Sequence, residues 1–267
     1  MKTLKVLVTG AAGRMGREVV KAVHGAEDMD VVAAVDPHHV GVDAGETAGI
    51  GRLDLPLEAD LSAALGRALP DVVVDFTRPD GVMANLRTIL GAGVAAVVGT
   101  TGLAEADLDE IRALCEAHDT ACLVAPNFAI GAVLMMRFAQ EAARFLPDCE
   151  IIEMHHNQKL DAPSGTAMKT AEMVAAARGQ GSGDKTEKVI LAGARGGDYE
   201  GVRVHSVRLP GFVASQAVIF GGQGQTLTIR HDTLDRTSFM PGVLLAVRAI
   251  VDRTGLIYGL EKILNDA

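Results

Sequence analysis

The chain has 267 residues, 48% of them apolar, enough for one large domain or two ordinary ones around well-filled cores. Its formal charge of −9 excludes the broad basic surface that nucleic acids and anionic membranes demand. With 3% aromatic residues and no Trp, it also has little from which to build a platform for stacking bases. Residues 5–9 (KVLVT) form a β-branched run that predicts the first strand. A glycine turn follows, then a helix over 14–23 in which Met15, Val19 and Val23 recur at helical spacing. Further strands are predicted at 31–36, 71–75, 95–99 and 121–125, separated by helices at 61–69, 82–92 and 104–117. Strands that are apolar throughout and alternate with helices predict a parallel sheet covered on both faces, so this half is expected to be a Rossmann-like, doubly wound α/β unit.

After Asn127 the pattern changes. A long helix over 131–145 leads into a strand over 149–156, then a helix over 167–177 and a polar, glycine-rich loop at 179–184. Runs at 202–209, 217–220 and 226–231 are apolar on one face and look like antiparallel strands, and a last helix over 239–254 resumes the first pattern. The expected organisation is one α/β domain of residues 1–127 and 236–267, and a second, α+β domain of residues 128–235 with a mixed or antiparallel sheet.

The glycine turn is Gly10-Ala11-Ala12-Gly13-Arg14-Met15-Gly16, placed where a strand ends and a helix opens. Glycine permits a tight turn and close backbone approach, and the helix N-terminus favours the negative charge of a pyrophosphate. The spacing G-x-x-G-x-x-G differs from the commoner G-x-G-x-x-G, and a turn used only for packing helix on strand is the alternative. Two further features favour the cofactor. Asp36 closes the second predicted strand, where an acid meets the adenosine ribose, and Gly99-Thr100-Thr101-Gly102 follows the fourth. An acid at that place repels a 2′-phosphate, while Arg14 and Arg78 could offset the repulsion. The expectation is therefore a preference for NADH, with NADPH as a second cofactor. His38 and His39 are expected to be loop residues near the adenosine end.

Midway along the chain stands Glu153-Met-His-His-Asn-Gln-Lys-Leu-Asp-Ala-Pro-Ser-Gly-Thr-Ala167. His155, His156 and Lys159 can donate protons. Ser164 or Thr166 would cap the following helix, whose free N–H groups attract anions. The combination suits a carboxylate-bearing molecule held beside a proton donor. Neighbouring residues of a strand point to opposite faces, so His155 and His156 do not readily share a metal, and no metal site is expected. Glu153 and Asp161 either orient the histidine and lysine side chains or are solvated.

The string HHNQKLDAPSGTA resembles the signature of the 4-hydroxy-tetrahydrodipicolinate reductase (dihydrodipicolinate reductase) family of diaminopimelate and lysine biosynthesis. The resemblance extends over nearly the whole chain through GAAGRMG at Gly10, DFTRP at Asp75, VVGTTG at Val97, APNFAIG at Ala125, GARGG at Gly193, HSVRLPG at His205 and TIRHD at Thr228. It implies that His155 is the catalytic proton donor or acceptor and Lys159 a second proton donor. It implies that His156, Gly165 and Thr166 contact the substrate, a cyclic imine with two carboxylates. On the cofactor side it implies pyrophosphate contacts from Gly10, Ala11, Ala12, Gly13, Arg14 and Met15, and ribose contact from Asp36. Nicotinamide-side contacts would come from Gly99, Thr100 and Thr101 and from Ala125, Pro126, Asn127 and Phe128. The family's homotetramers join through the second domain's sheet, which implies the same assembly here. Two departures are visible. Ala217 stands where many relatives have glutamate, and Asp36-Pro37 where some have Glu-Arg.

Two rivals share the first half. A dehydrogenase acting on another amino-acid-like acid has no use for the HHNQKLDAPSGT string. A dinucleotide sensor that recruits a protein partner would lack a proton donor such as His155 or Lys159. Cys115, Cys122 and Cys149, odd in number and in apolar or helical surroundings, are expected to be buried thiols of a reducing compartment. No leader is expected ahead of the first strand and no apolar run approaches the ~20 residues of a membrane span, so the expected location is cytoplasmic.

Overall fold

The computed structural model describes residues 3–181 and 188–264, so part of the predicted 179–184 loop lies outside the described residues. The chain divides into two compact units, Met1–Ala129 with Phe239–Ala267, and Ile130–Ser238. The first unit is built from β1 (Leu4–Thr9), α1 (Arg14–His24), β2 (Met29–Val35), α2 (Ala44–Ala48), β3 (Leu57–Glu58), α3 (Leu61–Ala68), β4 (Val72–Asp75), α4 (Val82–Gly91), β5 (Ala95–Val98), α5 (Glu105–Ala117) and β6 (Ala121–Val124). The second holds α6 (Ile130–Ala143), β7 (Asp148–His155), α7 (Gly165–Ala177), β8 (Gly197–Tyr199), β9 (Val202–Arg208), β10 (Ala214–Gly222) and β11 (Gln225–Thr233). The chain then returns to the first unit with α8 (Met240–Ile250) and β12 (Gly255–Tyr258).

In the first unit seven parallel strands lie in the order β12-β6-β5-β4-β1-β2-β3. All four residues of β4 (VVVD), of β5 (AAVV) and of β6 (ACLV) are buried, as expected of strands with helices on both faces. Leu86, Ile89 and Leu90 of α4 and Ile111 and Cys115 of α5 fill one side against Leu7, Val73 and Val98. Strand order reverses at β1, which has β2 on one side and β4 on the other. Thr9 pairs with Val35 and with Asp75, Asp75 with Val98, and Val98 with Val124. The next residues, Gly10, Asp36, Phe76, Gly99 and Ala125, therefore line up along one carboxyl edge, where ligands of open α/β sheets collect.

The second unit's sheet runs β11-β10-β7-β9-β8. It is mixed: β10 is antiparallel to both β7 and β11, β8 is antiparallel to β9, but β9 is parallel to β7. The antiparallel reading of residues 202–209 is thus corrected at this pairing. α7 lies against both β7 and β9, and β9 is entered through its antiparallel hairpin with β8, from the same end as β7. Burial along β7 alternates, with Cys149, Ile151 and Glu153 on the buried row. The strand ends at His155. His156 lies beyond it, so the opposite-face argument for the two histidines does not apply. Elements too short to leave a periodic signal, α2, β3, β8 and β12, have no counterpart among the predicted ones.

All three cysteines are free and buried. Among the described residues no helix is long and apolar enough to cross a membrane.

One packing contact in the first unit has a direct consequence. A Cβ at Gly16, in the first turn of α1, would lie 2.0 Å from the Gly10 carbonyl oxygen, a backbone atom that cannot step aside. Gly16→Ala is expected to push α1 off the glycine turn and to lower stability by about 3 kcal/mol, the upper part of the overpacking range. Thermal unfolding would register this as a clear drop in Tm, and an unchanged Tm would refute the packing account.

Candidate active site

The first unit gathers its candidate residues along the carboxyl edge of the parallel sheet. Gly10 follows β1 at φ +67°, a left-handed conformation that a side chain disfavours, and a Cβ there would lie 2.8 Å from the Phe76 carbonyl oxygen. The turn closes with the Gly13 N–H donating to the Gly10 carbonyl at 2.9 Å. Gly13 is the N-cap of α1 and supplies no side-chain cap, which leaves the helix's first N–H groups for another acceptor. Ala11 and Ala12 are buried, Gly13 and Arg14 exposed, and Met15 half-buried. The positive end of α1, framed by backbone that comes close because no side chain intervenes, fits a pyrophosphate.

Asp36 is buried and fixed beside this turn. Its carboxylate accepts from the Ala12 N–H at 3.1 Å and from the His38 N–H at 3.0 Å. His39 Nδ1 stands 3.6 Å from the same group, while the His39 side chain remains half exposed. Arg14 is exposed, and Arg78 lies 3.5 Å from Asp80. The carboxylate is thus the charge held in place here, and both arginines are on the surface.

The remaining cofactor-side candidates differ in what they present. Thr100 is buried, and its hydroxyl faces Asp75 Oδ1 at 3.2 Å and the Thr77 carbonyl at 3.3 Å. Its side chain therefore holds the loop together and leaves backbone for a ligand. Thr101 and Pro126 are exposed, Ala125 is buried, and Asn127 accepts from the Ala129 N–H at 2.8 Å. Phe128 packs against Phe76, ring centroids 5.7 Å apart. The Phe76 ring occupies the space where a Gly99 side chain would go, 2.0 Å from an ideal Cβ.

Asp75 was legible only as part of a motif, yet it organises this edge. It is fully buried and accepts from Thr9 Oγ1 at 2.8 Å, Asn85 Nδ2 at 2.8 Å, the Thr77 N–H at 3.0 Å, Thr77 Oγ1 at 2.7 Å and Thr100 Oγ1. One carboxylate thereby joins the ends of β1, β4 and β5. The signal for it was an acid closing an otherwise apolar strand.

In the second unit the end of β7, the turn after it and the start of α7 bring together Glu153, His155, Lys159, Ser164, Gly165 and Thr166. His155 Nδ1 lies 2.5 Å from Glu153 Oε2. Arg208, from β9, grips the same carboxylate with both terminal nitrogens, at 2.8 and 2.7 Å. Burial alone would raise the Glu153 pKa, but hydrogen bonds from His155, Arg208 and Ser206 outweigh it and hold the group at about 2. Of the two roles open to Glu153, solvation is therefore excluded, since its side chain is fully buried. Sequence reasoning missed Arg208, which lies within the quoted HSVRLPG string.

Lys159 Nζ contacts both oxygens of Asp161, at 2.7 and 2.8 Å, and that pair reaches solvent. The ammonium lowers the Asp161 pKa. Ser164, not Thr166, is the N-cap of α7, its hydroxyl accepting from the Ala167 N–H at 3.2 Å. Gly165 is exposed, and a Cβ there would meet no atom within 4 Å. Its lack of a side chain is thus not a demand of packing; it keeps the helix N-terminus open to an acceptor. His156 is exposed on the turn. Among the described residues no group of three or more His, Cys, Asp or Glu side chains is placed to hold a metal. A glycine turn with a buried acid beside it in one unit, and an imidazole, an ammonium and an open helix N-terminus in the other, suit an enzyme that reduces an anionic substrate with a dinucleotide.

The chain is similar to known proteins along its whole length. Residues 4–128 match the family model described as dihydrodipicolinate reductase, N-terminus, and residues 131–264 the one described as dihydrodipicolinate reductase, C-terminus. A Moorella thermoacetica protein named 4-hydroxy-tetrahydrodipicolinate reductase is 52% identical, over 98% of this chain and 98% of its own. A Listeria innocua protein of the same name is 53% identical, over 98% of this chain and 100% of its own. The solved dipicolinate-bound dihydrodipicolinate reductase of Paenisporosarcina sp. TG-14 superposes with a TM-score of 0.87 at 45% identity, covering 98% of this chain and 100% of that one. With both halves matched and the likeness running from end to end, the chain belongs to the dihydrodipicolinate reductase family.

Proposed function

We propose that the chain reduces 4-hydroxy-tetrahydrodipicolinate to tetrahydrodipicolinate with a nicotinamide cofactor, in the synthesis of diaminopimelate and lysine. The observation that carries this reading is the second unit's cluster, in which the His155 imidazole, the Lys159 ammonium and the α7 N-terminus share one short stretch of chain. The substrate has two carboxylates, and the cluster offers them an ammonium and helix N–H groups within a protein that is acidic overall. The solved relative from Paenisporosarcina is named as bound to dipicolinate, a dicarboxylate on a six-membered nitrogen ring. In this proposal residues 1–127 and 236–267 bind the dinucleotide, and residues 128–235 bind substrate and form the oligomer.

The reaction adds a hydride and a proton to the ring and releases the 4-hydroxyl as water. A dinucleotide, when bound, supplies the hydride. Gly10 to Met15 hold its pyrophosphate, Asp36 its adenosine ribose, and Gly99 to Thr101 with Ala125 to Phe128 its nicotinamide end. His155 supplies or accepts the proton. Lys159 exchanges Asp161 for the substrate, where it stabilises developing negative charge and serves as a second proton donor. Gly165 and Thr166 grip one carboxylate, and His156 contacts the substrate from the turn.

We further propose NADH as the preferred cofactor with NADPH also used, because the fixed Asp36 charge opposes a 2′-phosphate. A homotetramer joined through the second unit's sheet completes the proposal. The row that alternates with the buried one, with Ile152, Met154 and Ile219 half-buried, supports it. Ala217, between Ile152 and Arg230 in register, gives that row a small apolar centre where many relatives carry a charge. A cytoplasmic location fits the three free, buried thiols.

Three measurements test the assignments. His155→Ala and Lys159→Ala are each expected to lower kcat by ~10²–10⁴ with NADH still bound, followed by absorbance at 340 nm and by cofactor titration. Near-normal kcat in both would sink the roles given to them. Gly165→Ala is expected to leave Tm in place while KM for the dicarboxylate rises about tenfold, a loss of ~1.4 kcal/mol in ground-state binding. An unchanged KM would remove the α7 N-terminus from the substrate site. Asp36→Asn, which keeps an acceptor for the Ala12 N–H, is expected to raise the NADPH-to-NADH ratio of kcat/KM about tenfold, some 1.4 kcal/mol of relieved repulsion. A constant ratio would show that Asp36 does not discriminate.

A further inference from the structure

Glu153 and His155 are two residues apart on β7, so both side chains leave the same face of the strand. In the parallel register with β9, Ser206 stands opposite Glu153 and Arg208 opposite His155. The Glu153 carboxylate is fully buried, and its oxygens receive partners from three elements. Oε2 faces His155 Nδ1 at 2.5 Å and Arg208 Nη1 at 2.8 Å. Oε1 accepts from Arg208 Nη2 at 2.7 Å and from the Ser164 N–H at 3.2 Å. Arg208 Nη2 also donates to the Asp161 carbonyl at 2.7 Å.

Each partner leads to a different piece of the substrate side. His155 is the proton donor or acceptor itself. Ser164 is the residue before Gly165 and the cap of α7. The Asp161 carbonyl belongs to the turn whose carboxylate holds Lys159. We propose that Glu153 is a positioning residue for proton transfer: its carboxylate keeps a proton on His155 Nδ1, reserves Nε2 as the atom that exchanges protons with substrate, and through Arg208 and Ser164 fixes the Lys159 turn and the α7 N-terminus to one point.

The tautomer follows from elementary chemistry. An ionised carboxylate can only accept, so the imidazole atom against it must carry hydrogen. Neutral His155 then has its lone pair on Nε2, where the imidazole takes up a proton to become imidazolium and gives it back, while the Nδ1 hydrogen stays in place. With a pKa of about 2, Glu153 remains a carboxylate throughout and takes no proton from the ring. It touches no reacting atom and acts through its neighbours.

The inference rests on the reading of His155 as proton donor or acceptor, and the test separates the two. Imidazole ¹⁵N resonances of the histidine-labelled full chain, assigned for His155 by their loss in His155→Gln, report the neutral tautomer without substrate or turnover. The expected result is hydrogen on Nδ1; hydrogen on Nε2 in the unsubstituted protein overturns the proposal, and this measurement needs no variant at Glu153 to fold. In Glu153→Gln the amide is expected to turn its NH₂ toward His155 and its oxygen toward Arg208 Nη2 and Ser164, moving hydrogen to Nε2. With that change kcat should fall about 10²-fold or more while the Kd for NADH stays within about twofold. Retained Nδ1 hydrogen together with kcat within threefold of the unsubstituted enzyme also overturns it. Absence of turnover in the unsubstituted protein would count against the functional reading and leave the tautomer result standing.

Discussion

A carboxylate removed from water must be met by charge and hydrogen bonds, and in the second unit Glu153 sets that condition. It occupies a position on β7 where the alternation of Cys149 and Ile151 calls for an apolar side chain. Removing one member of such a pair leaves the other charge uncompensated, at a cost of about 3–5 kcal/mol. The fold therefore has little freedom to vary the arrangement around it. Arg208 comes from the neighbouring strand, and the register of β9 beside β7 brings its guanidinium to the carboxylate. The parallel pairing that departs from the antiparallel expectation is thus the one that delivers the guanidinium to the carboxylate.

The two units meet a similar problem with different chemistry. Asp75 is as deeply buried as Glu153 but receives hydroxyls, an amide and a backbone N–H instead of a cation. Neutral donors suit its place at the carboxyl edge of the sheet, where a guanidinium would add local positive charge and bulk next to the glycine turn. Asp75 joins loops that follow separate strands, whereas Glu153 joins β7, β9 and the turn before α7. In each unit the residues expected to touch ligand lie at the ends of elements and on the turns beside them, and one buried acid ties those ends together. That division of labour explains why Thr100 directs its hydroxyl inward although it sits among the cofactor-side candidates.

Much of this was legible in the sequence because the relevant signals are local. Continuous apolar runs marked β4, β5 and β6, and the strand–glycine–helix order marked the turn at Gly10. The string from His155 to Thr166 put proton donors and a helix start within a few residues of one another. What was not legible is what depends on pairing between distant segments. The register that sets Arg208 beside Glu153 spans 55 residues of chain, and a strand apolar on one face can have either a parallel or an antiparallel neighbour. Glu153 itself could be read only as orienting or solvated, because the apolar row it interrupts becomes visible once the strand's faces are known. The cap of α7 was open between Ser164 and Thr166 for a related reason. Both can accept from an N–H, and the choice falls on Ser164, whose own N–H is held by Glu153.

The two ion pairs beside His155 differ in a way that matters for chemistry. Lys159 and Asp161 meet at the surface, with the aspartate side chain 60% exposed. A pair of that kind is worth about 0–1 kcal/mol, so an incoming carboxylate can replace Asp161 at little cost. Arg208 and Glu153 meet around a side chain with no exposure, and no anion can compete there without stranding a buried charge. An acidic protein that binds a dicarboxylate needs cations that are free to change partner. It also needs those cations to be held where the substrate arrives. Placing the exchangeable pair on a turn, and tying that turn through the Asp161 carbonyl to the pair that cannot exchange, satisfies both requirements with four side chains.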